Sequence, residues 1–554
     1  MGQSQTAKVS LGQKLAFASA DIFGGGSFNI INFLFFPFLT LVVGINPLFV
    51  SPILFISKFW DGLIDPFIGK ITDARNSNSK FGKRRFFMLI SAPIMFVAFV
   101  LLFFPWNMLF TSQLVKIIFV IVVYMLYSTA QSFILIPYFS LGSEMTDDYN
   151  QRNKVNAVRI AFSILSSLIC VAVPSMIASP SKADNGLGYI YMAIIFGAIF
   201  AVSVIVTALF AKEQVRTLPI KQKLSLKEFF KPLKLKTYRQ YLGMQMCTSM
   251  AMAVMSSFFF VFCDFYLRKY TYYAITSQTL GALDTASRFP IATISAVIMF
   301  LSQIIALPVN LMLIKRFGKR TTYIVGAIIW ATFTLSLLLL PTESLAPTVT
   351  QTINNSGGIN YHFTSVSGAS DLVIMILAFC IGYGLGACVF VPHSSFGDVC
   401  NVGELCFGKR TEGSFSGLTN FLNTVAQALG LALPPIALGL CKYTPTQYVT
   451  LAEYNSYLTN DLLAVEKLGM ALDNFRVIIS GGNVQLSPLI QQHSAQVALL
   501  LTIVIIPLII IIFGIIIASK FKLNREKQQK IVELLSNKDS PDYERQREEI
   551  LKSL

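Results

Sequence analysis

From Val497 to Ser519 the chain runs twenty-three residues without a charge. A hydrocarbon core of about 30 Å is crossed by ~20 helical residues, so this segment alone commits the chain to a bilayer. It is not a lone anchor. The chain is 54% hydrophobic and only 13% charged, with a mean hydropathy of +0.63, more apolar than a soluble domain. Twelve spans are read, at residues 14–43, 47–71, 86–106, 113–141, 156–178, 188–211, 240–266, 288–314, 321–341, 371–397, 412–441 and 495–519. Lipid offers backbone groups no partner, so each span is expected to be a helix and the fold class an all-α membrane protein.

The loops set the topology. Residues 73–85 hold Arg75, Lys80, Lys83, Arg84 and Arg85, and residues 212–239 hold nine basic residues against Glu213 and Glu228. By contrast, 342–370 contain no Lys or Arg, and 179–187 contain only Lys182. The positive-inside bias therefore places the basic loops and, with an even span count, both termini in the cytoplasm. The expected location is a cell membrane. Residues 1–13 are polar, carry Lys8 and precede no small-residue cleavage pattern, so no cleaved signal is expected.

The net charge of +16 is spent in short loops rather than gathered on one soluble face, which argues against a nucleic-acid partner. The eight cysteines lie in or beside apolar segments without metal-ligand or redox spacing. His362, His393 and His493 form no catalytic constellation; no enzyme activity and no cofactor are expected.

The basic segment separates six spans from six. The expected units are a six-helix bundle at 1–211, a linker at 212–239, a six-helix bundle at 240–519 with long outer loops at 342–370 and 442–494, and a tail at 520–554. Leu226, Phe229, Phe230 and Leu233 suggest an amphipathic helix on the membrane surface within the linker. Leu458–Ile479 reads as a second amphipathic stretch, and the tail as a solvated helix. An echo relates the halves: Phe81-Gly82-Lys83-Arg84-Arg85 follows the second span and Phe317-Gly318-Lys319-Arg320 follows the eighth. Transporters with two related halves place their solute near the midplane between them.

The second span carries charges that lipid excludes. At ~100° per residue, Lys58, Asp61 and Asp65 share one helix face, and each ion near the bilayer centre costs at least ~2.5 kcal/mol. That face must line a cavity or pair internally. Two carboxylates one turn apart repel when both are ionised, which retains a proton on one or draws in a cation. This is the physics of an ion-coupling site, with H⁺ or Na⁺ as the ion and Asp61 and Asp65 as its metal ligands in the Na⁺ case. Ser132 is expected to join them. The first span adds a stripe of Asp21, Gly25, Asn29 and Asn32, the fourth adds Gln131 and Tyr138 around Pro137, and the fifth adds Arg159. Gly24-Gly25-Gly26 and Gly382-Tyr383-Gly384-Leu385-Gly386 lie inside spans without βαβ context, so they read as helix-packing glycines rather than phosphate loops.

Trp60-Asp61-Gly62-Leu63-Ile64-Asp65-Pro66, Ile136-Pro137-Tyr138, the run Met145-Thr146-Asp147-Asp148-Tyr149 with Arg152, Asn156 and Arg159, and Asp398, Gly403, Glu404, Lys409, Arg410, Glu412 and Gly413 together resemble the glycoside-pentoside-hexuronide:cation symporters. These are the melibiose-permease-like branch of the major facilitator superfamily. The resemblance covers nearly the whole chain apart from the outer loops and tail. It implies the major facilitator fold, twelve transmembrane helices in two six-helix bundles, and sugar uptake coupled to Na⁺ or H⁺ by alternating access. It also implies that Asp61 and Asp65 hold the ion and that Arg159 lies in the substrate region. Departures are equally specific. Leu135 and Gly25 stand where the pattern has sugar-binding acids, Ile64 where it has Asn and Thr424 where it has Lys, which weakens galactoside recognition and Na⁺ coordination alike and makes H⁺ the favoured ion.

The expected function is cation-coupled symport of a sugar or glycoside by a monomer in the membrane lipid. Asp21, Asn29, Asn32, Gln131, Tyr138, Arg159, Asn420 and Asn423 are the expected solute ligands. The alternative keeps the fold and changes the cargo to a lysolipid or other amphipathic solute.

Overall fold

The computed structural model describes residues 10–74, 82, 84–145, 149–178, 186–211, 229–267, 275–276, 291–340, 348–353, 359–364, 371–408, 412–470, 472, 475–480, 483–488, 491–536 and 543–553. Its helices are α1 (Leu11–Ser19), α2 (Asp21–Pro37), α3 (Pro47–Ala74), α4 (Arg85–Leu102), α5 (Gln113–Glu144), α6 (Tyr149–Ile177), α7 (Leu187–Phe210), α8 (Lys236–Phe265), α9 (Ile291–Ser336), α10 (Asp371–Phe407), α11 (Glu412–Leu440), α12 (Leu451–Thr459), α13 (Asp461–Leu468), α14 (His493–Ser519), α15 (Arg525–Ser536) and α16 (Tyr543–Ser553).

Among the described residues, eleven helical stretches are long and apolar enough to cross a membrane. One of them is two spans. The 46 residues of α9 would extend about 69 Å at 1.5 Å per residue, far beyond one bilayer. Inside it Gly318 stands at φ 84°, ψ 165°, a region open essentially to glycine alone, and the helix breaks there. The count becomes twelve. Gly82, its counterpart in the echo, also has positive φ, at 72°.

The basic residues of these turns do more than mark a side. Arg84 Nη1 donates to Thr72 Oγ1 at 3.3 Å and Arg85 Nη2 to the Leu209 carbonyl at 2.7 Å. Lys319 Nζ lies 2.5 Å from Asp398 Oδ2 and 2.7 Å from the Ser394 carbonyl. Each turn is thereby tied to neighbouring helices.

The first span is α1 and α2 in series. The bend at Ala20 is held by α7, since Thr207 Oγ1 accepts from the Ala20 N–H at 3.0 Å and donates to the Ala16 carbonyl at 2.7 Å. After Pro37 the chain widens into a π-turn, Phe38–Val42. In the first half α2 packs on α6, α3 on α5, and α4 on both α5 and α7; in the second, α8 packs on α11 and α14, and α9 on α10 and α14. Across the halves α3 meets α11, α6 meets the first part of α9, and α2 meets α8. Shifting each span by six exchanges the first two contacts and preserves the third, as a pseudo-two-fold axis requires.

The halves are bonded together toward the face opposite the basic turns. Ser51 Oγ donates to the Ala432 carbonyl at 2.7 Å, Ser175 and Thr293 hydroxyls meet at 2.9 Å, and Phe36 packs on Phe258 with centroids 4.3 Å apart. A small module covers this face. Strands β4 (Gln447–Thr450), β5 (Phe475–Ser480) and β6 (Asn483–Pro488) form an antiparallel sheet in the order β4-β6-β5. With α12 and α13 it encloses its own core of Tyr457, Leu468, Met470, Val484 and Leu486. The expected amphipathic stretch at Leu458–Ile479 is thus two short helices and a strand. The module also grips the end of the first span: the Thr446 N–H donates to the Thr40 carbonyl at 3.1 Å, and the Tyr448 hydroxyl donates to the Val42 carbonyl. On the same face β1 (Ile275–Thr276), β2 (Thr348–Ile353) and β3 (Ile359–Thr364) form a sheet of order β1-β3-β2.

Of the expected amphipathic helix in the linker, Leu226 and the rest of 212–228 lie outside the described residues; Phe229 is helical and packs against Gly417, and Lys231–Lys234 form a 3₁₀ turn. One further expectation is corrected. The tail is not a free solvated helix. Ile531 and Leu534 of α15 are buried, and from α16 Arg547 donates to the Leu405 carbonyl at 2.8 Å and the Cys406 carbonyl at 3.2 Å. A guanidinium there caps orphan carbonyls at the end of α10.

Gly44 and Gly408 both have φ near +70°, but a Cβ at Gly44 would lie 2.5 Å from the Thr446 carbonyl oxygen, whereas at Gly408 it meets open space. Gly408→Ala should cost only the left-handed strain, about 1 kcal/mol. Gly44→Ala should lower the melting midpoint of purified protein distinctly further, because the module must also move.

Candidate functional site

The lipid and interior faces of α3 separate cleanly. Ile56, Phe59, Leu63, Phe67 and Ile71 form an exposed apolar stripe. Asp61 follows Phe59 by two residues, about 200° around the helix, so the charged face turns inward. Its contacts agree: Lys58 is 4% exposed and its Nζ lies 3.5 Å from Asp61 Oδ2, with the Phe28 ring 5.4 Å away. Ser132 Oγ of α5 stands 2.6 Å from Asp65 Oδ1 and 3.3 Å from Asp61 Oδ1. The expected trio of Asp61, Asp65 and Ser132 is one cluster.

One hydroxyl has one proton to donate. Once Ser132 gives it to Asp65, its lone pairs face Asp61, and that approach is favourable when a proton or a cation sits between them. Charge points the same way. Lys58, Asp61 and Asp65 sum to −1, and one monovalent cation brings the cluster to neutrality.

A second cluster forms on α2 and α6. Gly24-Gly25-Gly26 brings the helices so close that a Cβ at Gly25 would lie 2.5 Å from Ser163 Oγ, and Ser166 Oγ donates to the Ile22 carbonyl at 2.6 Å. The triple glycine is therefore a packing surface. That approach sets Arg159 Nε 3.5 Å from Asp21 Oδ2, with the guanidinium 5.3 Å from the Phe139 ring centroid. Tyr138 is fully buried and stacks on Phe17 at 4.7 Å, its hydroxyl without a protein partner.

The remaining expected ligands are less unified. Asn29 turns back to the Gly25 carbonyl, Nδ2 to O 2.9 Å. Asn32 is buried with Oδ1 unpartnered, and Gln131 is buried beside Ser132 on α5. On α11 Asn423 Oδ1 is unpartnered, whereas Asn420 is exposed and is not gathered with the others. Its neighbours Phe421 and Thr424 face Gly62, beside Asp61. Thr424 thus occupies the seam between the halves. Thr146, Asp147, Asp148, Lys409 and Arg410, with the side chains of Arg152, Asn156 and Glu412, lie outside the described residues.

Sequence reading missed an apolar cluster between the halves. Phe33, Met252, Met255, Met299, Phe300 and Trp330 close around a void no larger than a single water, with Trp330 Nε1 3.2 Å from Met255 Sδ. Flexible thioethers adapt to irregular apolar shapes. The close spacing of Met252 and Met255 on one helix was the available signal, but the pairing with Phe33 is tertiary.

The counter-charge logic is testable by thermal melts in detergent. Lys58→Met should destabilise the protein by roughly 3 kcal/mol, the cost of an uncompensated buried carboxylate. Adding Asp61→Asn to it should restore most of that loss.

The arrangement of helices matches known proteins. A family model described as "MFS/sugar transport protein" matches residues 16–525. An uncharacterized symporter, YjmB of Bacillus subtilis (strain 168), is 26% identical over 447 residues, covering 80% of this chain and 86% of that protein. The sodium-dependent lysophosphatidylcholine symporter 1-B of Danio rerio is 24% identical over 384 residues, covering 62% and 66%. Among solved structures, a bacterial homologue of the human drug peptide transporters PepT1 and PepT2 superposes with a TM-score of 0.55 at 10% identity, covering 92% of this chain and 97% of that one, a likeness of fold alone. With a family match that runs from the first span into the tail, the chain belongs to the MFS/sugar transport protein family.

Proposed function

We propose that this protein is a cation-coupled symporter that moves a glycoside by alternating access, with its basic loops and both termini in the cytoplasm of the cell that bears it. The observation that carries the reading is the Ser132 hydroxyl held between Asp61 and Asp65 in a cluster one positive charge short of neutrality. Binding a cation there neutralises a cluster that lies beside the seam α3 forms with α11, and a neutral cluster costs less to seal from water than a charged one. The ion therefore favours closure of that seam, and its release favours opening. Coupling follows if the solute binds along the same seam.

Asp21, Arg159, Asn32, Gln131 and Asn423 supply donors and acceptors suited to sugar hydroxyls. The Asp21–Arg159 pair is bonded only loosely, at 3.5 Å, so either partner can exchange it for a hydroxyl. One alternative cargo is a lysolipid, a reading supported by the similarity to the protein of Danio rerio named as a sodium-dependent lysophosphatidylcholine symporter.

The test is ion-gradient-driven uptake into vesicles reconstituted with purified protein. The wild type should accumulate the solute above its outside concentration; Asp61→Asn and Asp65→Asn should only equilibrate it. Uphill accumulation by either variant sinks the coupling role. Candidate cargoes are ranked beforehand by thermal stabilisation. A shift with glycosides supports the first reading, and a shift with lysophospholipids but no sugar transfers the assignment to the second.

A further inference from the structure

Ser57 precedes Asp61 by one turn of α3, and Ser128 precedes Ser132 by one turn of α5. Both are 0% exposed, and neither hydroxyl has a hydrogen-bond partner. The two helices are locked at this level by Trp60 Nε1 donating to Thr129 Oγ1 at 3.1 Å. One turn further along α5 stands Tyr124, also 0% exposed with its hydroxyl unpartnered. Tyr127 turns its hydroxyl toward Ser27 of α2, again at 0% exposure, and both tyrosines lie within electrostatic reach of Asp61. By helical spacing, Ser57 and Ser128 stand one turn, and Tyr124 two turns, from the level of the carboxylate pair on the side where the halves are bonded. Phe35 packs on Tyr124 at 5.2 Å and Phe99 on Tyr127 at 5.8 Å.

A buried hydroxyl without a partner costs about 1–3 kcal/mol, and alanine or phenylalanine at these sites would avoid that cost. Several such hydroxyls beside one ion site call for a common ligand. A proton needs a single acceptor and gives them no purpose. A hard metal cation takes oxygen ligands, and waters that complete its shell each need 2–4 polar partners. We propose that Ser57, Ser128, Tyr124, Tyr127 and Ser27 form a closed, hydroxyl-lined annex of the ion site, which holds the water that completes the coordination of Na⁺ at Asp61 and Asp65. The assignment rests on the coupling reading above.

The experiment is thermal unfolding of the full-length purified protein across a NaCl titration, with choline chloride holding ionic strength constant. Tyr124→Phe, Ser57→Ala and Ser128→Ala remove hydroxyls without removing bonds seen in the protein, so in choline they should melt at or above the wild-type midpoint. Their half-maximal Na⁺ concentration should nevertheless rise about tenfold or more, with Asp61→Asn as the control that abolishes the response. Unchanged Na⁺ dependence in all three variants, beside a dead Asp61→Asn, overturns the annex and leaves the coupling role standing. A wild type that ignores Na⁺ also overturns the annex. An Asp61→Asn protein that still responds as the wild type does removes the coupling role itself.

Discussion

Hydrocarbon offers no partner to a charge or to an open backbone group, and this one constraint organises the molecule. It forces every span into helix, and it turns Lys58, Asp61 and Asp65 away from the stripe of Ile56, Phe59, Leu63 and Phe67 that meets the lipid. Once turned inward, the acids must find partners within the first bundle. They find Lys58 on their own helix and Ser132 on α5. The supply falls one positive charge short, and the proposed ion site rests on that deficit.

The same constraint acts on the seam between the halves. Toward the bonded face, hydroxyls are satisfied across the seam by the partner half, as Ser51 is by Ala432 and Ser175 by Thr293. The π-turn after Pro37 leaves carbonyls that would be orphaned at the end of the first span. Lys116 takes that of Val43 at 3.1 Å and Gln113 that of Gly44 at 3.0 Å, both from α5. Thr446 and Tyr448 reach the carbonyls of Thr40 and Val42 from the opposite half. The module is therefore part of how this face is held together. It is not a passive decoration of a loop.

Much of this was legible before any coordinates. The twelve spans, the inward acids and the break at Gly318 follow from local rules: hydropathy over a window, a 100° helical step and a glycine in a basic turn. Arg159 reached its place by a less local route, since the packing of α2 on α6 that brings it to Asp21 depends on Gly24-Gly25-Gly26 having no side chains. Asn420 shows the limit. It shares a helix with Thr424 and looks equally eligible, yet rotation of α11 exposes it and turns Thr424 and Phe421 toward Gly62.

The amino-acid sequence by itself determined that this chain spans a bilayer, that it does so in two related halves, and that a pair of acids one turn apart is kept from lipid. Those properties depend on neighbours within a turn or two, where free energies of transfer and helical geometry leave little choice. Only the tertiary structure decided which hydroxyls stand beside the acids without partners, which methionines close on Phe33, and that Arg547 and Tyr448 cap carbonyls on helices distant in sequence. Those outcomes are set by helix rotation and crossing, which arise from many weak contacts at once and leave no periodic trace along the chain.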